Sequence, residues 1–226
     1  MIELMDVRKA FNQGKPNQIW AVNGVTLDLR DSQVTVLTGP SGSGKTTLLT
    51  LIGALARPTE GRVRLDGEEI SNLPERFLTE IRRHRFGFVF QRFNLIPGLT
   101  VLDNVMLPTL PMGRDRSSVQ QRAMDLLQQL GLENKVGSKV EWLSGGEAQR
   151  TAMARALIND PDVIIADEPT ANLDSHLSAE FLHIIEAQAD QGKTILMTSH
   201  DPLVYESPLI QRRVDIRDGQ LVEQTS

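Results

Sequence analysis

The chain contains one segment whose residue types and spacing suit the binding of phosphate groups. Residues 39–46 read GPSGSGKT, which matches the P-loop pattern of spaced glycines followed by a lysine and a hydroxyl residue. The glycines let backbone N–H groups approach phosphate oxygens closely, and a helix that starts here adds the positive end of its dipole. We expect Lys45 to reach the β- and γ-phosphates of a nucleoside triphosphate and the hydroxyl of Thr46 to bind Mg²⁺.

Two adjacent carboxylates form the second candidate group. Asp167 and Glu168 follow an apolar run at residues 163–166, which is typical of a parallel strand buried on both faces. If this strand neighbours the strand before the P-loop, Asp167 lies beside the P-loop and holds Mg²⁺ through a water. Glu168 is then placed to polarise an attacking water as a general base. A solvated turn is the alternative for an isolated Asp-Glu pair, but the P-loop favours the catalytic interpretation.

Residues 143–147, which read LSGGE, form a second candidate anion site before a predicted helix at residues 148–157. A serine hydroxyl and unpaired backbone N–H groups at a helix start bind anions. Because the P-loop already holds the phosphates, the simplest interpretation is that this segment binds ATP held by another copy of the chain. A serine N-cap with a glycine turn is the alternative, and it would be preferred for an isolated Ser-Gly-Gly.

Short runs of apolar and β-branched residues predict the strands that position these groups. They lie at residues 2–7, 25–29, 34–38, 86–90, 163–166 and 194–198. Helical periodicity over residues 46–55, stopped by Pro58 and Gly61, predicts a helix directly after the P-loop. Hairpins are predicted at residues 61–70 and 213–222.

Residues 99–157 are predicted to be mostly helical, with interruptions at Pro108, Pro111 and Gly113. Elsewhere, strands alternate with helices, which favours an α/β core with a parallel sheet. The long helical stretch is therefore interpreted as a subdomain inserted into that core.

Composition limits the class of protein. The 226 residues suggest one domain, and a net charge of −5 gives no basic excess that would indicate a nucleic-acid partner. The absence of cysteine excludes disulfides, iron–sulfur clusters and cysteine-ligated zinc. No apolar run reaches membrane-spanning length, and residues 1–6 lack the pattern of a signal peptide. We therefore expect a cytoplasmic location, and action at a membrane would need a partner protein.

Five separated motifs occur in a fixed order along the chain. They are the P-loop, Gln91, residues 143–150, Asp167-Glu168 and His200. Together they resemble an ABC ATPase, the nucleotide-binding domain of ABC transporters, across nearly the whole chain.

The resemblance implies an α/β fold of the P-loop NTPase class, with a RecA-like parallel-sheet core, an antiparallel β subdomain and an inserted α-helical subdomain. Residues 1–226 would form a single ABC ATPase domain. The catalytic core would comprise residues 1–91 and 158–226, and the helical subdomain would span residues 92–157, approximately.

The resemblance also implies the site residues and the cofactors, which are ATP and Mg²⁺. The implied catalytic residues are Lys45, Gln91, Glu168 and His200. The implied metal-binding residues are Thr46, Gln91 and Asp167. The implied ATP-binding residues are Phe11, Gly39, Pro40, Ser41, Gly42, Ser43, Gly44, Lys45, Thr46, Thr47, Gln91, Ser144, Gly145, Gly146, Glu147 and His200.

Several of these residues have distinct implied roles. Gln91 would sense Mg²⁺ and the attacking water and relay that state to a membrane subunit. His200 would contact the γ-phosphate. Phe11 would stack on the adenine ring, and Trp20 is a weaker candidate for the same role.

The implied assembly is a head-to-tail dimer of two copies of the chain, with two ATP molecules held between them. Residues 144–146 would contact the γ-phosphate of the partner's ATP. Residues 172–174 resemble the D-loop, which touches the partner chain.

A narrower resemblance covers residues 86–97 and 99–105, which are similar to lipoprotein-release and macrolide-export ATPases of the LolD/MacB type. It implies a peripheral position on the cytoplasmic side of the inner membrane, with an integral membrane permease that carries a large extracytoplasmic domain as partner. The dimer would drive export or extraction of a hydrophobic substrate such as a lipoprotein, drug, peptide or haem. A regulatory ATPase of the cell-division type and a soluble, non-transport ABC ATPase are the alternatives.

Overall fold

The computed structural model of the protein describes residues 1–171 and 173–222. Asn172, the first residue of the expected D-loop, lies outside the described residues, as do residues 223–226. The strands in the described part are β1 (Ile2–Phe11), β2 (Ile19–Leu29), β3 (Val34–Thr38), β4 (Glu60–Leu65), β5 (Glu68–Glu69), β6 (Phe86–Val89), β7 (Val163–Ala166), β8 (Thr194–Thr198), β9 (Arg212–Arg217) and β10 (Gln220–Leu221). The α-helices in the same part are α1 (Lys45–Ile52), α2 (Glu75–Arg85), α3 (Val101–Met106), α4 (Arg116–Gln129), α5 (Gly145–Leu157), α6 (Ser175–Asp190) and α7 (Pro202–Tyr205). Short 3-10 helices span Leu107–Met112, Glu133–Lys135 and Val140–Trp142.

The larger sheet of the described residues has the strand order β10-β9-β3-β8-β7-β6. Strands β9, β3, β8, β7 and β6 run parallel, and β10 pairs antiparallel with β9 at one edge. The predicted strands at residues 34–38, 163–166 and 194–198 are confirmed with these bounds, and the strand predicted at residues 86–90 ends one residue earlier, at Val89. The α/β core with a parallel sheet is therefore confirmed.

The central strands β7 and β8 are buried on both faces, as their uninterrupted apolar sequences predict. Ile165 and Leu196 pack into an apolar cluster with the antiparallel sheet and α1. Ile164 and Met197 pack into a second cluster with α3, α4, α5 and α6. Because successive residues of a strand point to opposite faces, each strand is held from both sides, and so is the loop that leaves its carboxyl end.

The smaller sheet has the order β2-β1-β4-β5. Strands β1 and β2 extend beyond the predicted residues 2–7 and 25–29, and β4 and β5 form the hairpin predicted at residues 61–70. Its buried residues pack onto α1 and the larger sheet. This sheet therefore supports the helix that follows the P-loop from the side opposite the helical layer.

Helix α1 confirms the helix predicted after the P-loop, but the predicted stop at Pro58 and Gly61 is wrong. The helix ends at Ile52, and the N–H groups of Leu55 and Ala56 both donate to the carbonyl oxygen of Thr50 at 2.8 and 3.0 Å. This is the pattern of a helix that closes in a left-handed turn, and here Ala54, with φ of 56°, supplies the left-handed residue. The end was missed because alanine carries no sequence signal for that conformation.

The helical stretch predicted at residues 99–157 is confirmed. Helices α3, α4 and α5 pack on one another around Val105, Leu127 and Met153, all of which are fully buried. The prolines Pro108 and Pro111 lie in the 3-10 helix that separates α3 from α4, because proline lacks the N–H group that an α-helix interior requires.

Helices α2 and α6 were not predicted, although both carry some helical signal. Leu78 is the only residue of α2 that is buried, so the apolar stripe of that helix is too narrow to stand out. Helix α6 buries Phe181 and Ile185 and begins at Asp174, whose carboxylate accepts a hydrogen bond from the N–H of Leu177. An acidic N-cap before an apolar period is a signal that was available. No helix in the described ranges is both long enough and apolar enough to span a bilayer.

The close contact between α5 and β6 requires glycine at position 87, and a substitution at this position tests that requirement. A Cβ atom at this position would lie 2.5 Å from the carbonyl oxygen of Ala156 and 2.9 Å from Cγ of Pro161. Since backbone must move to admit it, we expect Gly87→Ala to destabilise the protein by about 1–3 kcal/mol, measured by urea unfolding. Gly137→Ala is the matched control, because none of the described atoms lies within 4 Å of a Cβ there. Equal stability of the two variants would contradict the tight packing of α5 on β6.

Candidate active site

The P-loop and the carboxyl ends of the parallel strands enclose a cavity of about 480 Å³. The cavity is lined by all the P-loop residues, 39–46, together with Thr47. Its remaining described lining residues are Ala21, Gln91, Glu168 and His200. The structure thus brings together residues that are widely separated in sequence and that were selected for phosphate chemistry.

Two glycines of the P-loop allow the backbone to pass close to neighbouring strands. Gly39 has φ of 144°, and a Cβ there would lie 2.1 Å from the carbonyl oxygen of Ile216. Gly44 has φ of 103°, and a Cβ there would lie 2.2 Å from the carbonyl oxygen of Ala21. Any side chain at these two positions would displace the loop from the sheet edge, so the geometry of the cradle requires glycine.

The start of α1 offers donors to an anion. Its N-cap residue, Gly44, has no side chain to cap the first N–H groups, which leaves those groups for a ligand. Lys45 is buried, and its Nζ atom donates to the carbonyl oxygens of Gly39 and Pro40 at 2.7 and 3.0 Å. Ser43 Oγ is also buried and has no hydrogen-bond partner among the described residues. A phosphate group in the loop would supply acceptors for both side chains.

Asp167 contacts Thr46 of the P-loop, although the strands that precede these two residues are not neighbours in the sheet. Strand β8 lies between β3 and β7, so the condition that the two strands are neighbours is not met. The Oδ1 atom of Asp167 nevertheless accepts a hydrogen bond from Thr46 Oγ1 at 3.0 Å. The contact spans the intervening strand because Asp167 lies one residue beyond the end of β7 and α1 begins above the sheet edge.

Thr198, the last residue of the intervening strand β8, links the two acidic residues. Its hydroxyl donates to Oδ1 of Asp167 at 2.7 Å and accepts a hydrogen bond from the N–H of Glu168 at 2.8 Å. The side chain of Thr198 is fully buried. Sequence reasoning gave it no role, although its place at the end of a predicted strand next to His200 was a signal that could have identified it.

Glu168 and His200 meet at the mouth of the cavity. His200 Nδ1 lies 2.8 Å from Oε2 of Glu168, and the side chain of Glu168 is 14% exposed while that of His200 is 69% exposed. Glu168 adopts φ of 45°, a left-handed conformation that turns its side chain away from the direction of Asp167. One carboxylate therefore faces Thr46 and the other faces His200.

Gln91 follows β6 and lines the same cavity. Three aromatic residues on and after β6 lie directly before it, and the rings of Phe88 and Phe90 stack with their centroids 5.9 Å apart. Gln91 thus connects this cavity along the chain to Phe88 and Phe90, which line a second cavity.

Residues 144–147 are not among the described residues that line the cavity. Ser144 is the N-cap of α5, and its side chain accepts a hydrogen bond from the N–H of Glu147 while the Glu147 carboxylate accepts one from the N–H of Ser144. This hydrogen bond from the Ser144 backbone, together with that from Lys135, lowers the pKa of Glu147 below its usual value. Ser144 and Gly145 are exposed, whereas Gly146 is buried, so the start of α5 faces solvent in a single chain.

Gly146 has a packing role of its own. A Cβ at this position would lie 2.6 Å from Cδ2 of Leu177, so an alanine here would require the Leu177 side chain on α6 to move. Ser144 also caps α5, so the structure contains the serine N-cap that was the alternative interpretation of this segment. The capping geometry does not compete with an anion site, because the N–H groups of Gly145 and Gly146 have no partner within the helix.

Phe11 lies apart from the cavity lining. It ends β1, pairs with Ile19 of β2, and has a ring that is 49% exposed. Trp20 is half-buried. Ala21, which was not predicted as a site residue, is the part of this strand pair that reaches the cavity.

The residues present fit a magnesium ion that arrives with a nucleotide. Thr46 and Asp167 provide a hydroxyl and a carboxylate oxygen, which are ligands that Mg²⁺ prefers, and Gln91 lines the same space. Within residues 1–171 and 173–222, no three histidine, aspartate or glutamate side chains are grouped to hold a metal by themselves. Such a site depends on phosphate oxygens for its remaining ligands.

Comparison with known proteins assigns the family. The model of the ABC transporter family matches residues 22–171. A protein of Thermotoga maritima described as an uncharacterized ABC transporter ATP-binding protein is 41% identical over 222 residues, which cover 98% of this chain and 93% of that protein. The chain therefore belongs to the ABC transporter family, in which it is the ATP-binding and ATP-hydrolysing cassette.

A second relative connects the chain with export proteins. The macrolide export ATP-binding/permease protein MacB of Shigella flexneri is 40% identical over 222 residues, which cover 98% of this chain. The match covers 34% of MacB, so the chain spans about a third of the length of that relative.

Solved structures confirm the fold. A dimeric structure of MJ0796, a bacterial ABC transporter cassette, superimposes with a TM-score of 0.90 at 38% identity, covering 99% of this chain and 97% of that one. A dimeric post-hydrolysis state of MJ0796 bound to ADP and Pi also has a TM-score of 0.90, at 37% identity. The predicted P-loop NTPase fold is thereby confirmed.

The hydroxyl of Thr198 provides a test of how the two carboxylates are held. In Thr198→Val, the N–H of Glu168 loses its acceptor, while Asp167 loses one donor and retains the hydrogen bond from Thr46. A buried polar group left unpaired costs about 1–3 kcal/mol. We expect the maximal rate of ATP hydrolysis to fall on the order of tenfold, measured by phosphate release. Thr198→Ser is the control, because it retains the hydroxyl. A valine variant with an unchanged rate would contradict this role.

Proposed function

We propose that the chain binds Mg²⁺–ATP in the P-loop cavity and works as a head-to-tail dimer that drives a membrane permease. The observation that carries the proposal is the division of the anion sites between two surfaces. The cavity contains the P-loop, Glu168 and His200, whereas the exposed start of α5 lies outside its described lining. A second copy is the simplest source of the missing half, and the dimeric MJ0796 cassette supports that arrangement.

The proposed roles inside one copy follow from contacts and charge. Lys45 exchanges its two carbonyl acceptors for β- and γ-phosphate oxygens and neutralises their charge. Thr46 and Asp167 hold Mg²⁺, which would neutralise developing negative charge on the phosphates, and Gln91 contributes to the same site. Phe11 is proposed to stack on adenine, which its exposed ring permits.

Glu168 is proposed to be the general base. A water attacks the γ-phosphorus, its proton passes to the Glu168 carboxylate, and the bond to the β–γ bridging oxygen breaks to give ADP and phosphate. His200 is hydrogen-bonded to Glu168, so it fixes the direction of the carboxylate and reaches the γ-phosphate from the cavity mouth. Catalysis of this kind depends on positioning and on charge stabilisation more than on covalent chemistry.

The partner copy is proposed to complete the site through Ser144, Gly145, Gly146 and Glu147. The hydroxyl of Ser144 and the N–H groups of the two glycines bind the γ-phosphate, and Glu147 holds Ser144 in place through the capping box. ATP then joins two chains, and its hydrolysis removes the bridging phosphate. The dimer closes on ATP and opens after hydrolysis.

The domain arrangement that supports this cycle is a single domain over residues 1–226. We assign residues 1–91 and 158–226 to the catalytic core and residues 92–157, approximately, to the helical subdomain. Helices α3, α4 and α5 pack on one another, which supports this division, and the apolar cluster that contains them also joins them to the larger sheet.

A cleft between the core and the helical layer is proposed as the docking site of the permease. It has a volume of about 380 Å³ and an aromatic floor, and six of its lining residues are Leu55, Arg82, Phe88, Phe90, Pro108 and Arg155. Arg155, on α5, donates to the carbonyl oxygens of Phe93 and Asn94 at 2.5 Å each. The segment that follows Gln91 is thus attached to the helix that begins at Ser144, so an element seated in the cleft would move with both.

The type of permease is inferred from the MacB relative, whose name includes both an ATP-binding part and a permease. We propose a permease of the macrolide-export or lipoprotein-release type with a large extracytoplasmic domain, which places this chain on the cytoplasmic side of the inner membrane. The transported compound would be hydrophobic, such as a lipoprotein, drug, peptide or haem.

Glu168→Gln tests the general base and the dimer together. Because a general base contributes about 10²–10⁴-fold, we expect hydrolysis to fall at least about 100-fold while an ATP-bound dimer accumulates on gel filtration. Glu186→Gln is the matched control, since Glu186 lies exposed on α6. A Glu168→Gln chain that stays monomeric at saturating Mg²⁺–ATP would count against the shared site.

Leu55→Asp tests the docking cleft. Leu55 is 44% exposed, so the substitution leaves folding intact but places an unpaired charge in the proposed interface. We expect at least about tenfold less permease to co-purify with the tagged chain from detergent-solubilised membranes, measured by mass spectrometry, with unchanged basal hydrolysis. Met124→Asp, on the surface of α4, is the control.

The identity of the co-purifying protein tests the function itself. A stoichiometric protein with transmembrane helices and a large extracytoplasmic domain is the expected result. A membrane partner that binds wall hydrolases and transports nothing would favour the cell-division alternative. Recovery of soluble proteins alone would overturn the transporter assignment.

A further inference from the structure

Trp142 is the most exposed large hydrophobic side chain among the described residues, with 75% of its surface accessible. It is one of two tryptophans in the sequence. Tryptophan is highly buried on average, so an indole exposed to this degree indicates an interaction surface.

The backbone around Trp142 is held firmly. The residue ends the 3-10 helix Val140–Trp142, and its N–H donates to the carbonyl oxygen of Lys139 at 3.1 Å. Val140 is buried, and Leu143 packs against the apolar cluster of the helical layer. The chain is therefore anchored on both sides of Trp142, and the indole extends into solvent from a fixed backbone position.

Trp142 lies two residues before Ser144, and both residues are exposed. Leu143 and Ser144 both have extended backbone angles, with ψ of 144° and 165°. Trp142 itself ends a 3-10 helix, so the extended segment starts directly after it, and the Cα atom of Trp142 lies within about 7 Å of that of Ser144. A surface that presents Ser144 to the partner's γ-phosphate therefore presents Trp142 to the partner as well, at a distance suited to the nucleoside part of the same ATP.

In the partner copy, the surface next to the nucleoside part of this ATP is apolar. The P-loop passes against Ala21 at Gly44, and two residues before Ala21 the strand exposes Ile19, whose cross-strand neighbour is Phe11. These two side chains are 63% and 49% exposed. A nucleoside that leaves the phosphate cradle past Ala21 reaches this pair of apolar side chains.

From this arrangement we infer that Trp142 of one copy stacks on the adenine of the ATP bound by the other copy, opposite Phe11. The contact rests on the proposed shared site and adds a base-binding residue to it. The indole and the purine each have a flat π-face, and stacking between them buries both exposed rings. The dimer would then contact the adenine base as well as the γ-phosphate of each ATP.

The test uses Trp142 as its own reporter. In the double variant E168Q and W20F, Trp142 is the single tryptophan, and ATP-bound dimers persist. We expect Trp142 emission to be quenched by Mg²⁺–ATP in step with dimer formation measured by light scattering. Mg²⁺–ADP, which lacks the bridging phosphate, should leave the emission unchanged.

Substitutions give a second measurement. In the E168Q background, we expect W142A to raise the ATP concentration for half-maximal dimer formation about tenfold, which corresponds to the loss of one base–aromatic stack. W142F keeps a ring and should shift it less. L110A is the matched control, because Leu110 is 70% exposed and lies on a different segment of the helical layer, the 3-10 helix Leu107–Met112.

Two results would overturn the inference while leaving the dimer in place. One is an unchanged ATP requirement in W142A. The other is dimer formation that shifts Trp142 emission to shorter wavelength without quenching it, which indicates packing on protein alone. Failure of E168Q itself to dimerise with Trp142 intact would instead overturn the shared site, and this contact with it.

Discussion

The site depends on parallel strands that end at one edge of a sheet buried on both faces. Lys45 follows β3, Asp167 and Glu168 follow β7, and His200 follows β8. These residues meet because the three strands are held in register by apolar clusters above and below the sheet. The catalytic side chains themselves contribute little to this alignment. The buried hydroxyl of Thr198 adds a local link, since it joins Asp167 to the backbone of Glu168 from the strand between β3 and β7.

Much of this arrangement could be predicted from the sequence. The apolar runs of β3, β7 and β8 and the glycines of the P-loop gave the strands and the phosphate cradle with nearly the observed bounds, because buried parallel strands and tight loops leave strong local patterns. The order of strands was less accessible, since the position of β8 between β3 and β7 depends on the packing of helices that connect them. The end of α1 at Ile52 depends on a left-handed turn at Ala54 that alanine does not signal, and the hydrogen bonds of Thr198 to Asp167 and Glu168 depend on tertiary contacts.

Helix α5 connects the two surfaces that the proposed cycle requires. Its first turn carries Gly145 and Gly146, and Arg155 in its last turn holds the segment that follows Gln91. The 13 residues of the helix span about 20 Å at 1.5 Å per residue. A shift of the first turn toward a partner's phosphate would therefore be transmitted to the cleft as movement of one rigid rod.

The capping box at Ser144 has a consequence for the chemistry of that position. The side-chain oxygen already accepts a hydrogen bond from the N–H of Glu147, yet a hydroxyl also carries a proton that it can donate. Aspartate would cap the helix equally well, but its negative charge would repel a phosphate. Alanine could neither cap the helix nor donate a hydrogen bond to a phosphate. One oxygen atom therefore ends the helix and remains a donor, so this position admits few substitutes for reasons of folding and of ligand charge at once.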